Sequence, residues 1–167
     1  MASSKQEQDI VIRIIKNFKD VNTSPLKMKK LAKALCCRFG RHEPIDTRYE
    51  ISIAIVDDNE IRKLNKKFLN SKAATDCLSF DLSGDEKGLN IFDLVVNGEM
   101  AVRQANLRGH SSEAELALYI THGLLHNLGF DDSAENQARK MHETEDEILQ
   151  EFGYGMVYNN DTIPKEH

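Results

Sequence analysis

Between Ser111 and Gly129 the chain places Leu116, Ile120, Leu124 and Leu128 at helical spacing, which predicts the longest apolar helix in the sequence. Ser111 and Ser112 with Glu115 form a capping-box-like start, and Gly129 supplies the stop. A helix with so broad an apolar face must be covered by other elements, so the fold has to be built around it. Within it, His122-Gly-Leu-Leu-His126 sets two imidazoles at i and i+4, where their rings leave the same face and their nitrogens can converge.

The elements available to cover that helix are mostly β-like. Residues 9–19 are rich in β-branched side chains and read as a first strand, although their spacing also allows a helix. Ser24-Pro25 opens a helix whose apolar face is Leu26, Leu31, Leu35 and Phe39, ending at Gly40. Residues 49–56 alternate with period 2, and Asp57-Asp58 then cap a helix through Ile61, Leu64, Phe68 and Leu69. Residues 76–82 form another short strand, followed by a polar turn over 83–88. Residues 92–102 read as a further β segment whose internal Gly98 marks a bulge or a close backbone approach. A last helix spans 133–152, carrying Ala134, Ala138, Met141, Glu145 and Ile148 among many charges, and Gly153 stops it. This order predicts an α+β fold, a mixed sheet of about four strands with packed helices and a metal site at the end of the central helix. The expected organisation is a single hydrolase domain over 1–155 with a flexible tail over 156–167.

Composition narrows the function classes. With 167 residues, 40% hydrophobic and 29% charged, the chain suits one soluble domain and neither a disordered chain nor a membrane span. A net charge of -5 does not attract phosphates, so any nucleic-acid role must rest on a local basic patch. Lys27, Lys29, Lys30 and Lys33 cluster on one helix and read as a solvated face, with phosphate contact as the alternative. Three cysteines, two of them adjacent as Cys36-Cys37, fit reduced packing thiols. The polar opening and the interrupting Arg13, Lys16 and Lys19 do not resemble a signal peptide, which points to a cytoplasmic protein with no membrane partner.

The chemistry concentrates after the histidine pair. Gly129 permits a sharp turn, so that Asp131 or Asp132 can swing back and complete a three-ligand set. Two His and one carboxylate leave a coordination position open, as in catalytic rather than closed structural zinc sites. The plainer alternative is a pair of partly buried histidines satisfied by ordinary hydrogen bonds, but two unpaired buried imidazoles are costly to keep. His142, in the last helix, is a competing ligand, although Glu143, Glu145, Asp146 and Glu147 around it read as a solvated acidic face. The protease pattern His-Glu-x-x-His needs a Glu where this chain has Gly123, so a zinc peptidase lacks its base. There is no Gly-x-Ser-x-Gly elbow and no Gly-rich phosphate loop, and Cys77 sits in strand-like sequence where a core role is expected.

His122-Gly-Leu-Leu-His126-Asn-Leu-Gly129-Phe130-Asp131-Asp132 resembles the signature of the YbeY family of metal-dependent endoribonucleases, His-Gly-x-Leu-His-Leu-x-Gly-Tyr-Asp-His. Leu64-Asn65, Thr75-Asp76-Cys77-Leu78-Ser79-Phe80 and Asn97-Gly98-Glu99-Met100 resemble further family segments, and Met141 and Glu145 fall at the spacing of its final helix. The resemblance runs from residue 49 to residue 152. It implies that His122, His126 and Asp132 hold one divalent ion, most simply zinc, with Asp132 standing where the family has histidine. It also implies single-strand-specific cleavage of RNA in ribosomal RNA maturation and ribosome quality control, with ribosomal RNA and the small ribosomal subunit or its proteins as partners.

Leu69 stands where the family carries an arginine that contacts RNA phosphate, so the positive charge must come from elsewhere: Lys66, Lys67 or Lys72, or Arg103. Lys72 and Arg103 are the substrate-binding candidates. Asp131 is expected to brace the turn or a ligand histidine rather than bind the ion. Two other readings stay open at this point: a ribosome-assembly binding protein with a structural or vestigial metal site, and a metal-dependent hydrolase of another substrate such as a peptide.

Overall fold

A computed structural model describes residues 9–41 and 46–158 of the chain. Nine elements follow one another: β1 (Asp9–Lys16), α1 (Pro25–Phe39), β2 (Arg48–Val56), α2 (Asp58–Leu69), β3 (Cys77–Asp81), β4 (Leu89–Asn97), α3 (Gly98–Arg108), α4 (Ser112–Asn127) and α5 (Glu135–Glu151). The strands form one mixed sheet in the order β1-β2-β4-β3, parallel throughout except for the antiparallel β3–β4 pair at one edge. The expected α+β architecture of four strands and packed helices is the one observed.

Strand register explains the two sides of the sheet. Ile12, Ile51 and Phe92 are paired across β1, β2 and β4, as are Ile14, Ile53 and Leu94, so one face presents continuous apolar rows. That face joins Leu31 and Leu35 of α1 and Leu116, Ile120 and Leu124 of α4 in the main core. On the opposite face Ile61 and Leu64 of α2 pack on Val56, Leu78 and Val95 in a smaller cluster. Helix α4 is flanked by α1, α3, α5 and the sheet, and from Leu116 to Thr121 every residue is buried. This is the central helix that the leucine spacing predicts.

Helix boundaries follow their caps. Ser24 accepts from the Lys27 N–H ahead of Pro25, Asp57 accepts from the Glu60 N–H, and Ser111 accepts from the Ala114 N–H. The strand expected over 9–19 stops at Lys16, and the larger departure from the expected boundaries is the segment 92–102. Its strand stops at Asn97, whose side chain takes the Met100 N–H at 2.9 Å and starts α3. Gly98 is therefore no bulge; it is a close approach, because a Cβ there would meet Ile55 and Phe18 at 2.8 Å.

Three smaller expectations also change. Leu26, Phe68 and Leu69 are 55–63% exposed, because α1 buries Met28, Leu31 and Leu35 and α2 buries Ile61 and Asn65, leaving those three at the rims. The acidic surroundings of His142 are a solvated face only in part: Glu143 and Glu147 are exposed, but Glu145 and Asp146 are 0% and 3% exposed. The chain does not come loose at 156, since Val157 is buried among core residues; residues 159–167 of the expected tail lie outside the described ones. The lysine face of α1 is exposed as expected, Cys36 packs inward and Cys37 outward, and all three cysteines are free. Among the described residues no helix is long and apolar enough to cross a membrane.

Candidate metal centre

The last two turns of α4 carry the histidine pair to the edge of the core. Leu128 ends the helix, the Phe130 N–H donates to the Leu125 carbonyl at 2.9 Å, and Gly129 adopts φ 101°, a left-handed conformation that a side chain would strain. The chain reverses there, and Asp132 returns to the imidazoles. Asp132 Oδ2 lies 3.5 Å from His126 Nε2 and 3.8 Å from His122 Nε2, and the two Nε2 atoms are 3.1 Å apart. Tetrahedral coordination at zinc–ligand distances of about 2.0–2.1 Å separates donor atoms by about 3.4 Å, so the spacing of these three fits one ion. Asp131 does not reach the cluster; it accepts from the Ser133 N–H and hydroxyl and braces the turn. Among the described residues this is the group of three His, Cys, Asp or Glu side chains whose ligand atoms all lie within 4.8 Å of one another.

Behind the pair sits a residue that sequence reasoning left on the surface. Glu145 Oε1 is 2.7 Å from His122 Nδ1 and its Oε2 is 3.1 Å from His142 Nδ1. Burial alone would raise the Glu145 carboxyl pKa, but the hydrogen bonds from His122 and His142 outweigh it and hold the group below the usual range. Burial likewise disfavours the His122 cation, yet its hydrogen bond to Glu145 leaves its pKa raised. A carboxylate accepting from Nδ1–H leaves Nε2 bare, with a lone pair available to a metal ion, and sets the ring plane. The signal was available: Glu145 lies on the same stripe of α5 as Met141, Ile148 and Leu149, all buried. His142 belongs to this supporting layer and not to the group of three donor side chains.

Gly123 has a steric reason. A Cβ at that position would stand 2.6 Å from Cys77 Sγ and 3.0 Å from Leu94 Cδ2, so position 123 faces the sheet and not the ligand cluster. A glutamate there would enter the core, which accords with the lack of a protease-type base in the sequence. Cys77 packs against the main core as expected, and burial drives its thiol pKa well up.

Two asparagines hold the loop between α2 and β3 against the centre. Asn65 donates to the Ala73 carbonyl at 2.9 Å, and Asn97 donates to the Thr75 carbonyl at 3.2 Å while its backbone N–H reaches Asp76. Thr75 and Asp76 of that loop line a cavity of about 470 Å³ together with His122, Gln104, Tyr119 and Tyr158. Lys72, in the same loop, is exposed, as are Lys66 and Lys67 on α2. Arg103 is committed elsewhere: its guanidinium grips Asp58 at 2.9 and 3.3 Å. That hydrogen bond is the main reason the Asp58 carboxyl falls to about 2.

The chain is similar to known proteins over most of its length. The family model described as "Endoribonuclease YbeY" matches residues 13–153. A protein named endoribonuclease YbeY from Macrococcus caseolyticus is 38% identical over 121 residues, covering 68% of this chain and 79% of that one. Another of that name from Aquifex aeolicus is 32% identical over 151 residues, covering 89% and 95%. A solution structure from Thermotoga maritima, 22% identical, covers 94% of this chain and all of its own with a TM-score of 0.52, and so shares the fold. With the family model spanning the sheet, the central helix and the turn that returns Asp132, this chain belongs to the endoribonuclease YbeY family.

Proposed function

We propose that the protein is a metal-dependent endoribonuclease of ribosomal RNA maturation that cuts single-stranded RNA at a centre formed by His122, His126 and Asp132. The observation that carries this reading is the convergence of three donor atoms within 4.8 Å, one of them oriented from behind by a buried carboxylate. A divalent ion held there supplies Lewis-acid polarisation of a phosphoryl oxygen and a more acidic water. The protein's own part is positional. Glu145 keeps the His122 proton on Nδ1, Gly129 sets the return of Asp132, and Lys72, with Lys66 and Lys67, offers exposed charge for the RNA backbone near Leu69. Arg103 serves the RNA indirectly, through Asp58 and Asn97 and the loop they brace.

Zinc is the ion favoured by the two-imidazole, one-carboxylate set. A cytoplasmic site of action on ribosomal RNA, next to the small subunit, and a part in ribosome quality control complete the proposal. Metal analysis of tag-free protein tests its base: about one ion per chain, lost in His126→Ala and Asp132→Ala, is expected. Cleavage of a single-stranded RNA, abolished by His122→Ala and preserved in a surface variant such as Lys30→Ala, tests the activity.

One observation favours a second reading. Leu69, in the family's arginine position, is 60% exposed and offers the RNA phosphate nothing. Stoichiometric metal with no cleavage under any divalent ion would make the protein a binding factor of ribosome assembly. Cleavage of a peptide such as casein, with none of RNA, would overturn both readings.

A further inference from the structure

The residues following α5 make a second, unassigned approach to the metal centre. Val157 is 1% exposed, and the buried Arg108 donates to the carbonyl oxygens of both Val157 and Tyr158. Arg108 is itself held by Glu115 of α4 at 3.2 Å, and the Tyr158 N–H donates to Asp146 of α5 at 3.0 Å. The segment is thus fastened at consecutive residues to α3 and α5, with Arg108 itself tied to α4, and it lies beyond residues 13–153, which match the family model. What the fastening delivers is the Tyr158 ring. It stacks on His142 with centroids 3.6 Å apart and planes 8° from parallel. His142 meets Oε2 of Glu145, whose Oε1 meets His122.

We propose that Val157–Tyr158 is a clasp for the metal centre, in which Tyr158 is a positioning residue acting through His142 and Glu145 on the ligand His122. The inference rests on the three-ligand reading above. A carboxylate between two imidazoles is aimed correctly only if both rings are fixed. His122 is fixed by its place on α4 and by the ligand cluster. His142 is 20% exposed on α5 and has the flat contact of Tyr158 on its ring. Without that contact the imidazole gains rotamer freedom, Glu145 loses a constant partner on Oε2, and the aim of His122 loosens.

Zinc affinity, read by competition with a chromophoric chelator on the full chain, tests this independently of RNA cleavage. Removing a group that supports a ligand costs about 10–100-fold in metal affinity, and Tyr158→Ala is expected at the lower end, about tenfold. Tyr158→Phe, which keeps the stacked ring, should remain within about twofold of wild type. The decisive comparison is the double variant. If Tyr158 acts through His142, Tyr158→Ala together with His142→Ala binds zinc no more weakly than His142→Ala alone; a merely structural clasp makes the two losses add. Wild-type protein that binds no zinc overturns the ligand assignment and the clasp with it. Zinc bound equally tightly by wild type and Tyr158→Ala, or additive losses in the double variant, overturns the clasp and leaves the metal centre standing.

Discussion

Replacing Gly123 by alanine tests whether the helix that carries both histidines is seated on the sheet as described. The new Cβ would lie 2.6 Å from Cys77 Sγ and 3.0 Å from Leu94 Cδ2, whereas carbon atoms in contact sit about 3.5–4.0 Å apart. Something must therefore move by about 1 Å. Neither neighbour yields easily: Leu94 is 1% exposed in a strand paired on both sides, and Cys77 packs against the main core. Overpacking of this kind costs about 1–3 kcal/mol. Exchanging glycine for alanine within a helix returns about 0.8–1.0 kcal/mol through propensity.

The difference is a net loss of about 1 kcal/mol, up to about 2, or about 2–4 °C per kcal/mol in melting temperature for a chain of this size. Urea unfolding of wild type, Gly123→Ala, Cys77→Ala and the double variant gives the coupling. Removing Sγ clears the closer of the two contacts, so the double variant should be more stable than the sum of the single losses predicts by about 1 kcal/mol. A Gly123→Ala protein that is more stable than wild type by the propensity gain, with no coupling to Cys77, would refute this seating of α4. Zinc affinity should fall with stability in Gly123→Ala, since position 123 lies between His122 and His126, the two proposed ligands on the helix that would have to shift.

Three further perturbations address the ligand set, the missing arginine and the cap network. Asp132→His, which installs the third histidine of the family signature, should tighten zinc binding in chelator competition; an unchanged or weaker affinity would count against Asp132 as the third donor. Leu69→Arg should raise the rate of single-stranded RNA cleavage and steepen the salt dependence of RNA binding by about 0.7 in log-log slope, the share of one added phosphate contact; no change in either would place Leu69 off the RNA path. Arg103→Met removes the main cause of the low Asp58 pKa. The folded-state value, about 2, lies below the ordinary 3.8, so the stabilisation is present above the unfolded pKa and is lost as pH falls through the folded one. The variant should be less stable at pH 7 by about 1 kcal/mol, allowing for screening at the half-exposed guanidinium. That deficit should shrink between pH 4 and pH 2 in acid titrations followed by circular dichroism, and a constant deficit down to pH 2 would refute the pairing.

What could be read from the chain divides along the distance over which each signal acts. The histidine pair, its glycine stop and the capped starts of α1, α2 and α4 are local patterns of three to five residues, and each appears in the structure where its spacing put it. The boundary at Asn97 was also local but was masked by apolar residues on both sides: Val95 and Val96 belong to the strand, Ala101 and Val102 to the helix. The Asn cap was its one mark. Arg103 illustrates the other kind of failure. Its charge is evident in the sequence, but its partner Asp58 lies 45 residues away, so a cation free to meet phosphate and one already engaged look the same.

Glu145 stands between these cases, and its burial could have been deduced. Met141, Glu145, Ile148 and Leu149 share one helix stripe, so a carboxylate was being carried into the core. A buried charge persists only when paired and hydrogen-bonded, because its desolvation costs several kcal/mol. The chain must therefore bring cations or strong donors to that point, and the donors within reach of a carboxylate on α5 are the imidazole of His142 on its own helix and that of His122 on α4. The acidic residue in the apolar stripe thus calls for donors at that point, and the packing of α5 against α4 supplies one of them in His122. The pair His122–Glu145 then serves two ends: it satisfies the buried carboxylate, and it leaves His122 Nε2 directed toward His126 and Asp132, as the proposed metal centre needs.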